Sequence, residues 1–498
     1  VQGFCLLHHA VMHRTHLHQF QSWMDRVDIL SLKLLNASAM PNLPEALESL
    51  IAISRTVQGR SKLASQGILR ETLTLLLMPP LHNPHFALLS LRLLRNLCAG
   101  DSVNQDEFVN LNGVQTVFNL ITVMDESRVP GFVRVGLQVL GNVILGGAEH
   151  KSAVWRVFFP YGFLALSKLR RKEICDPLCM ILYNCVDGIP ELLHDLGNNL
   201  EFPLIMKEIV ATIDSVGHEE DWVKLLISKV CLEHRYFPKL FYPIRSNSCN
   251  SKEQYCPEDA YLLRFVSEIL NERLTEILVL EEFAVCVLEI FKTSSAIVES
   301  IAACNSRLPT ANPKIDVLGY SLVILRDVCA QDVAATFKGE DRVDMVEKLL
   351  PSGLIYFLLS LLRGLEPPLT IRKAMRQIDG EEASSTLNSC PYKGFRSDIV
   401  AVIANCAYHR KHVQDEIRSR DGILLLLQQC VTDEENPFLR EWGIWCLRNL
   451  LEDNEENQKI VAELELQKTL EVPELAGLNL KVEVDRLTRC AKLVNIPA

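Results

Sequence analysis

"NPFLREWGIWCLRNLLEDNEENQ", residues 436–458, is a strongly apolar helical run that carries one asparagine, Asn449, near its end. A lone residue of this kind says little, but one that returns at a fixed spacing marks a repeat. Aligning LRNLLEDNEENQ with LRNLCAGDSVNQ sets Asn449 on Asn96, Leu447 on Leu94 and Gln458 on Gln105 without a gap, each glutamine nine residues after its asparagine. Weaker copies keep the frame: LGNVILGG places Asn142 there, LYNCVDG Asn184, LRDVCAQ Asp327 and ISRTVQG Arg55, while IANCAYHRKHVQ places Asn405, with Gln414 again nine later. The intervals from Arg55 through Asn96 and Asn142 to Asn184 are 41, 46 and 42 residues, and 44 separate Asn405 from Asn449. These fall in the range of two- and three-helix repeats.

Two further markers share the frame. Pro84, Pro130 and Pro437 each lie twelve residues before their asparagine, and Asn83 and Asn436 stand just before two of them. Proline suits the first turn of a helix and asparagine its N-cap, so a helix is expected to start at each. Glycines at 67, 113, 162, 353 and 422 open leucine-rich segments that lack strand alternation. Each unit therefore reads as a short helix, a glycine turn, a second helix and a long asparagine-bearing helix. One such unit cannot cover its own apolar faces, so neighbours must stack, and the expected fold is all-α, an armadillo-like helical repeat superhelix (α-solenoid).

On a helical wheel with Asn449 at zero, Trp442 and Trp445 fall within roughly 40° of it, while Ile444, Leu447 and Leu451 cluster on the opposite side. Read this way, the asparagine lies off the core face, in a groove with two tryptophans. An amide offers one acceptor and two donors, enough to hold a peptide unit of an extended partner. Asn96, Asn142, Asn184, Asn405, Trp442, Trp445 and Asn449 are therefore the candidate protein-binding groove. The same amides also fit a bond to the adjoining turn, and the tryptophans also fit packing between repeats.

The organisation expected is an N-terminal helical segment at 1–43, repeats over 44–365 with a loop insertion near 234–259, a second loop insertion at 366–394, and a C-terminal domain at 395–498. In the first insertion Tyr236, Phe237, Phe241 and Tyr242 are expected to cover a neighbouring repeat. NLKVEVDRLTRCAKLV near the end alternates as a small hairpin does.

Hydrophobic residues make up 48% of the 498, which places the chain among folding sequences. The formal net charge of −11 and the lack of any basic cluster along the chain argue against nucleic acid. The sixteen cysteines are scattered, and Cys98, Cys185, Cys406 and Cys446 lie inside apolar runs, as reduced core residues do. Cys175 and Cys179 read the same way. EILVLEEFAVCVLEIF, the most apolar stretch, is broken by Glu281, Glu282 and Glu289, so no membrane insertion is expected. The first residue is Val1, and no charged-then-apolar leader precedes a small-residue cleavage site.

No catalytic constellation stands out. LGGAEHKS resembles a phosphate loop at Lys151 and Ser152, but His150 sits where glycine is required and a helix precedes it. HHAVMHRTHLH pairs His9 with His13 near Cys5, with no further ligand pair to complete a metal site. The expectation is a protein that is not an enzyme, with no cofactor and no metal.

The C-terminal stretch, with IANCAYHRKHVQDEIRSRDGILLLLQQCVTDEE before it, closely resembles the C-terminal domain of the ataxin-10 family from about Phe395 to about Val494. Upstream the likeness is mainly one of repeat pattern. The resemblance implies an armadillo-like cytosolic protein without catalysis that self-associates through this domain and engages protein partners in signalling, cell division or development. Trp445 and Asn449 also match the W-x-x-x-N groove motif of importin-α adaptors, which bind extended basic peptides. Arg92, Gln138, Met180 and Ala401 occupy the tryptophan position in the other copies, so that ladder is absent.

Overall fold

The structure is a computed structural model that describes residues 43–77, 84–123, 129–216, 221–248, 255–274, 276–298, 304–338, 344–373, 387–464, 480–484 and 491–495. The N-terminal segment expected at 1–43, with its histidines, lies outside these residues except for Leu43. The chain divides into two units, residues 1–269 and 270–498.

The first unit begins with α1 (Leu43–Ile53), α2 (Val57–Ser65), α3 (Ile68–Leu77) and α4 (Pro84–Leu97). It repeats the pattern with α5 (Ser102–Asn110), α6 (Gly113–Val123) and α7 (Phe132–Ile144), then α8 (Ala148–Phe158), α9 (Tyr161–Ser167) and α10 (Lys172–Val186). After α11 (Pro190–Asn198), α12 (Phe202–Val216) and α13 (Asp221–Ile227), α14 (Phe237–Ser248) and α15 (Pro257–Glu272) end the series. The long helices stack in order, α1 on α4, α4 on α7, α7 on α10 and α10 on α13. A helix packed on two sides must be apolar nearly all round. In α4, Leu88, Leu89, Leu91, Leu93, Leu94 and Leu97 are all buried. Each such leucine contributes roughly 1.5–3 kcal/mol by leaving water.

The second unit has α16 (Glu281–Val298), α17 (Pro313–Lys338), α18 (Met345–Leu349) and α19 (Leu354–Gly364). Then come α20 (Phe395–Ala407), α21 (Lys411–Ser419), α22 (Gly422–Leu427), α23 (Leu439–Leu451) and α24 (Glu455–Ala462). Here α16, α17, α20 and α23 form the stack. Strands β1 (Leu480–Val484) and β2 (Ala491–Asn495) pair antiparallel, with Val482 opposite Leu493, at the place where alternation suggests a hairpin.

The turns before four of the five glycine markers, all but Gly162, are built in two ways. Gly353 takes the left-handed conformation itself, at φ +74°, whereas Asp421 adopts it in place of the following Gly422, whose missing Cβ leaves room for Ile417 within 2.6 Å.

Three sequence expectations are corrected. Residues 234–259 are not a loop throughout, because α14 occupies Phe237–Ser248. Pro238 stands in its first turn, where no N–H is needed, and Phe237, Leu240 and Phe241 are buried at helical spacing. Helices do not begin at Pro130 and Pro437: Gly131 and Phe438 turn left-handed there, and α7 and α23 start at Phe132 and Leu439. Asn436 is not the N-cap of its own helix either. Its side chain accepts from the Arg396 N–H at 3.0 Å and so caps the first turn of α20 across space.

The 366–394 insertion is anchored at both ends. Leu365 bridges Asn388, the Glu366 N–H donates to the Asn388 carbonyl at 2.9 Å, and the Gly394 N–H donates to the Glu435 carbonyl at 2.9 Å. Residues 369–373 within it are helical.

Candidate functional site

The repeated asparagines hold one long helix to the one before it. Asn142 Nδ2 donates to the Arg95 carbonyl at 2.7 Å, Asn405 Nδ2 to the Arg326 carbonyl at 3.2 Å and Asn449 Nδ2 to the Ala404 carbonyl at 2.9 Å. In each case the acceptor is the residue just before the equivalent frame position of the preceding repeat. Asn96 Nδ2 reaches the Ile51 carbonyl and Ser54 Oγ, at 3.3 and 3.1 Å, and only Asn184 turns to its own helix, at the Met180 carbonyl, 2.8 Å away. The glutamines nine residues on return the bond. Gln105 Nε2 donates to the Asn142 carbonyl and Gln414 Nε2 to the Asn449 carbonyl, both at 2.8 Å. Lys151, at the glutamine position of its repeat, donates to the Asp187 carbonyl at 2.8 Å. Apart from the Arg326 carbonyl, which lies in the middle of α17, the carbonyls that accept from a neighbouring helix stand near a helix C-terminus, where they lack intrahelical donors and the side chains supply them. Each candidate groove asparagine therefore commits at least one amide N–H to the fold.

Asp327 takes the frame position in α17. Its Oδ1 and Asp398 Oδ1 each accept from Arg326 at 3.0 Å, and Tyr392 Oη donates to Asp398 Oδ2 at 2.8 Å. Burial pushes both carboxyls above the usual range, with Arg326 working against it, and burial also raises the Tyr392 phenol. Asp327 Oδ2 is buried without a partner.

The helical wheel of α23 is inverted relative to the sequence reading. Asn449 is 5% exposed and lies with Gly443, Cys446 and Leu450 on the buried face, whereas Ile444 is 56% exposed and Leu447 and Leu451 are only half-buried. The reason is positional. The equivalent residues of α4 are Leu91, Leu94 and Cys98, and those of α7 are Leu137, Leu140 and Ile144, all fully buried. In the interior helices this face meets the following repeat; Gly141, next to Asn142, lies 2.5 Å by its missing Cβ from Met180 of α10. Among the described residues no long helix follows α23, so the face that resembles core is open. Trp442 is half-buried, and Trp445, 49% exposed, carries Arg448 over its ring at 4.9 Å. Phe438, 70% exposed, precedes the same helix. Gln458, the last glutamine of the frame, is exposed, and among the described residues its side chain bonds the Leu451 carbonyl at the end of α23, at 2.8 Å, with no following repeat to reach.

A second feature is absent from the linear sequence. Helices α1, α4 and α7 together line a cleft of about 670 Å³ with Arg55, Arg92, Arg95 and Arg134, beside Glu48 and Gln138 and over Ile51, Leu89, Pro130 and Val135. The expectation of no basic cluster is thus corrected: four residues far apart in the chain converge. Arg95 donates to Gln138 Oε1 and Asn96 Oδ1, at 3.1 and 3.0 Å, both neutral acceptors. Burial, then the charges of Arg92, Arg55 and Arg134, hold its pKa below the ordinary value. The repeat frame contained the signal, since Arg55 sits at the asparagine position and Arg92 and Gln138 four residues before it.

The aromatics of 234–259 are packed as expected for Phe237 and Phe241, which are fully buried, and the Tyr236 ring lies against Gly197. Tyr242 is 44% exposed.

Against this geometry stand the similarities to known proteins. A family model described as the spinocerebellar ataxia type 10 protein domain matches residues 395–492. Ataxin-10 of Pongo abelii is 27% identical over 413 residues, covering 79% of this chain and 78% of that protein, and Ataxin-10 of Homo sapiens aligns to the same extent at the same identity. An ataxin-10 homolog of Dictyostelium discoideum is 36% identical over 105 residues, covering 21% of this chain and 17% of its own.

Proposed function

Because this chain is a relative of the ataxin-10 proteins and carries their C-terminal domain at residues 395–492, we propose that it is a non-catalytic cytosolic scaffold that binds protein partners and associates with further copies of itself through the open end of that domain. Its service is in signalling, cell division or development. The observation that carries the reading is the open face of α23, where Ile444, Leu447, Leu451 and Trp445 present to water a surface that interior repeats bury. A second copy is the occupant that fits best, because the matching family model is named for homo-association and α23 lies inside the matched residues.

The test is the mass of the full chain by light scattering over a concentration series. Wild type is expected above the 56.3 kDa of one chain, and Ile444→Glu with Trp445→Ala at that single-chain mass. A wild type that stays monomeric at tens of micromolar, or a double variant that keeps the larger mass, removes the interface.

A further inference from the structure

We propose that the arginine-lined cleft of α1, α4 and α7 is a docking site for an extended acidic peptide segment of a partner protein. Its positive charge outnumbers the negative charge among the described lining residues, four arginines against one glutamate. The side chains of Arg55, Arg92 and Arg134 are exposed and form no ion pair or hydrogen bond among the described residues, and Glu48 is the one carboxylate in the lining. Arg95, the most enclosed of the four, bonds only to neutral amide oxygens among the described residues, and its guanidinium is disfavoured by burial and by its neighbours. A chain of formal charge −11 gathers four arginines here, on two stacked helices and in the turn after a third, and among the described residues Glu48 is the one lining carboxylate set against them. Guanidinium is also the group whose planar fork matches a carboxylate in two parallel hydrogen bonds.

Shape and lining favour peptide over nucleic acid. The cleft runs across stacked helices and, among the described residues, has no aromatic side chain in its lining on which a base could stack. Ile51, Leu89, Pro130 and Val135 lie between the arginines, so an occupant that alternates carboxylates with aliphatic side chains meets a complementary surface. The cleft continues along α7 to α10, where Arg134 and Gln138 also line a second hollow with Lys172, Pro177 and Met180. Glu173 and Asp176 enter there, so the positive stretch ends at about Arg134. The sign of the charge also disfavours an importin-like reading, because a basic peptide would meet arginines.

The experiment is fluorescence anisotropy with the full-length chain and a fluorescein-labelled decapeptide alternating glutamate with leucine. A lysine–leucine decapeptide and a single-stranded oligothymidylate of equal charge serve as comparators. The acidic peptide is expected to bind, to weaken steeply as salt shortens the Debye length to about 8 Å at physiological ionic strength, and to lose about tenfold or more with Arg92→Glu plus Arg134→Glu. Both arginines are exposed, and an unchanged melting temperature verifies that the variant folds. A second variant, Arg92→Ala, is expected to show an intermediate loss, and Ile444→Glu none, which separates this cleft from the self-association face. No binding at low salt overturns the proposal. So do equal or tighter binding of the oligothymidylate or the basic peptide, and an undiminished affinity in the charge-reversed variant.

Discussion

At the residue scale, the asparagines that define the repeat act on the backbone of a neighbour. Asn142→Ala removes the donor to the Arg95 carbonyl and is expected to cost about 1–3 kcal/mol in urea unfolding, the range for leaving a part-buried polar group unpaired. Asn184→Ala breaks only a bond within its own helix and is expected to cost less than half as much; equal losses would show that the bonds between repeats contribute nothing special. Asp327→Asn tests the exception. Its carboxyl and that of Asp398 titrate above the ordinary range, so each adds stability as pH falls through its folded value and takes it away as pH rises, the raised-pKa direction of linkage. Placing an amide at 327 recreates the Arg95–Asn96 arrangement already present in α4. The expected result is a higher melting temperature at pH 7 and a smaller gain on acidification toward pH 4. The spacing of these residues is legible in the sequence because it is linear. The direction of their side chains is not, because the Asn449 wheel is equally amphipathic whichever side faces in.

At the element scale, α23 shows why that ambiguity arises. A helix in the middle of a stack is apolar on two faces, and the last of a stack keeps the same residues with one face uncovered. Ile444 therefore looks like core in sequence and is open in the fold. The long helices were readable from periodicity and the turns from the glycines that open leucine-rich segments, although only Gly67 and Gly353 of those five take a positive φ. Starts marked by Pro130 and Pro437 were displaced by a left-handed residue after each proline. α14 was masked by its prolines, polar tail and aromatics, a composition that favours loops locally and was overridden by burial of Phe237 and Phe241. The cap that Asn436 supplies to α20 joins residues forty positions apart, so no local pattern encodes it. Asn436→Ala is expected to destabilise the second unit by about 1–2 kcal/mol, as loss of an N-cap does, and Asn436→Asp is not expected to rescue it at neutral pH, because the amide nitrogen also donates to Asp433 Oδ2 at 3.1 Å and a carboxylate there would face that charge; identical melting of wild type and Asn436→Ala would remove the cap from the account.

At the scale of the whole chain, the described thiols report on a packed interior. Cys98, Cys185 and Cys446 are buried in apolar stacks, and burial pushes their pKa up, to about 12 for Cys185. They are expected to resist iodoacetamide at pH 8 in the native protein and to react together on unfolding, with mass spectrometry reporting the sites; modification of any of the three in the folded chain would contradict the packing. The four-arginine cleft belongs to this scale as well. Net charge is a sum over the sequence, whereas local potential depends on which residues the stack brings side by side, so a chain counted as acidic builds a positive recess. The rungs joining consecutive repeats have a consequence of their own. Each runs from an amide or ammonium side chain to a main-chain carbonyl, an atom every residue possesses, so the joint is indifferent to what is written at the accepting position. A module fastened in this way can be duplicated, trimmed or let drift at most of its sites without loosening its neighbour, which leaves the exposed surfaces free to acquire new ligands while the scaffold stays the same.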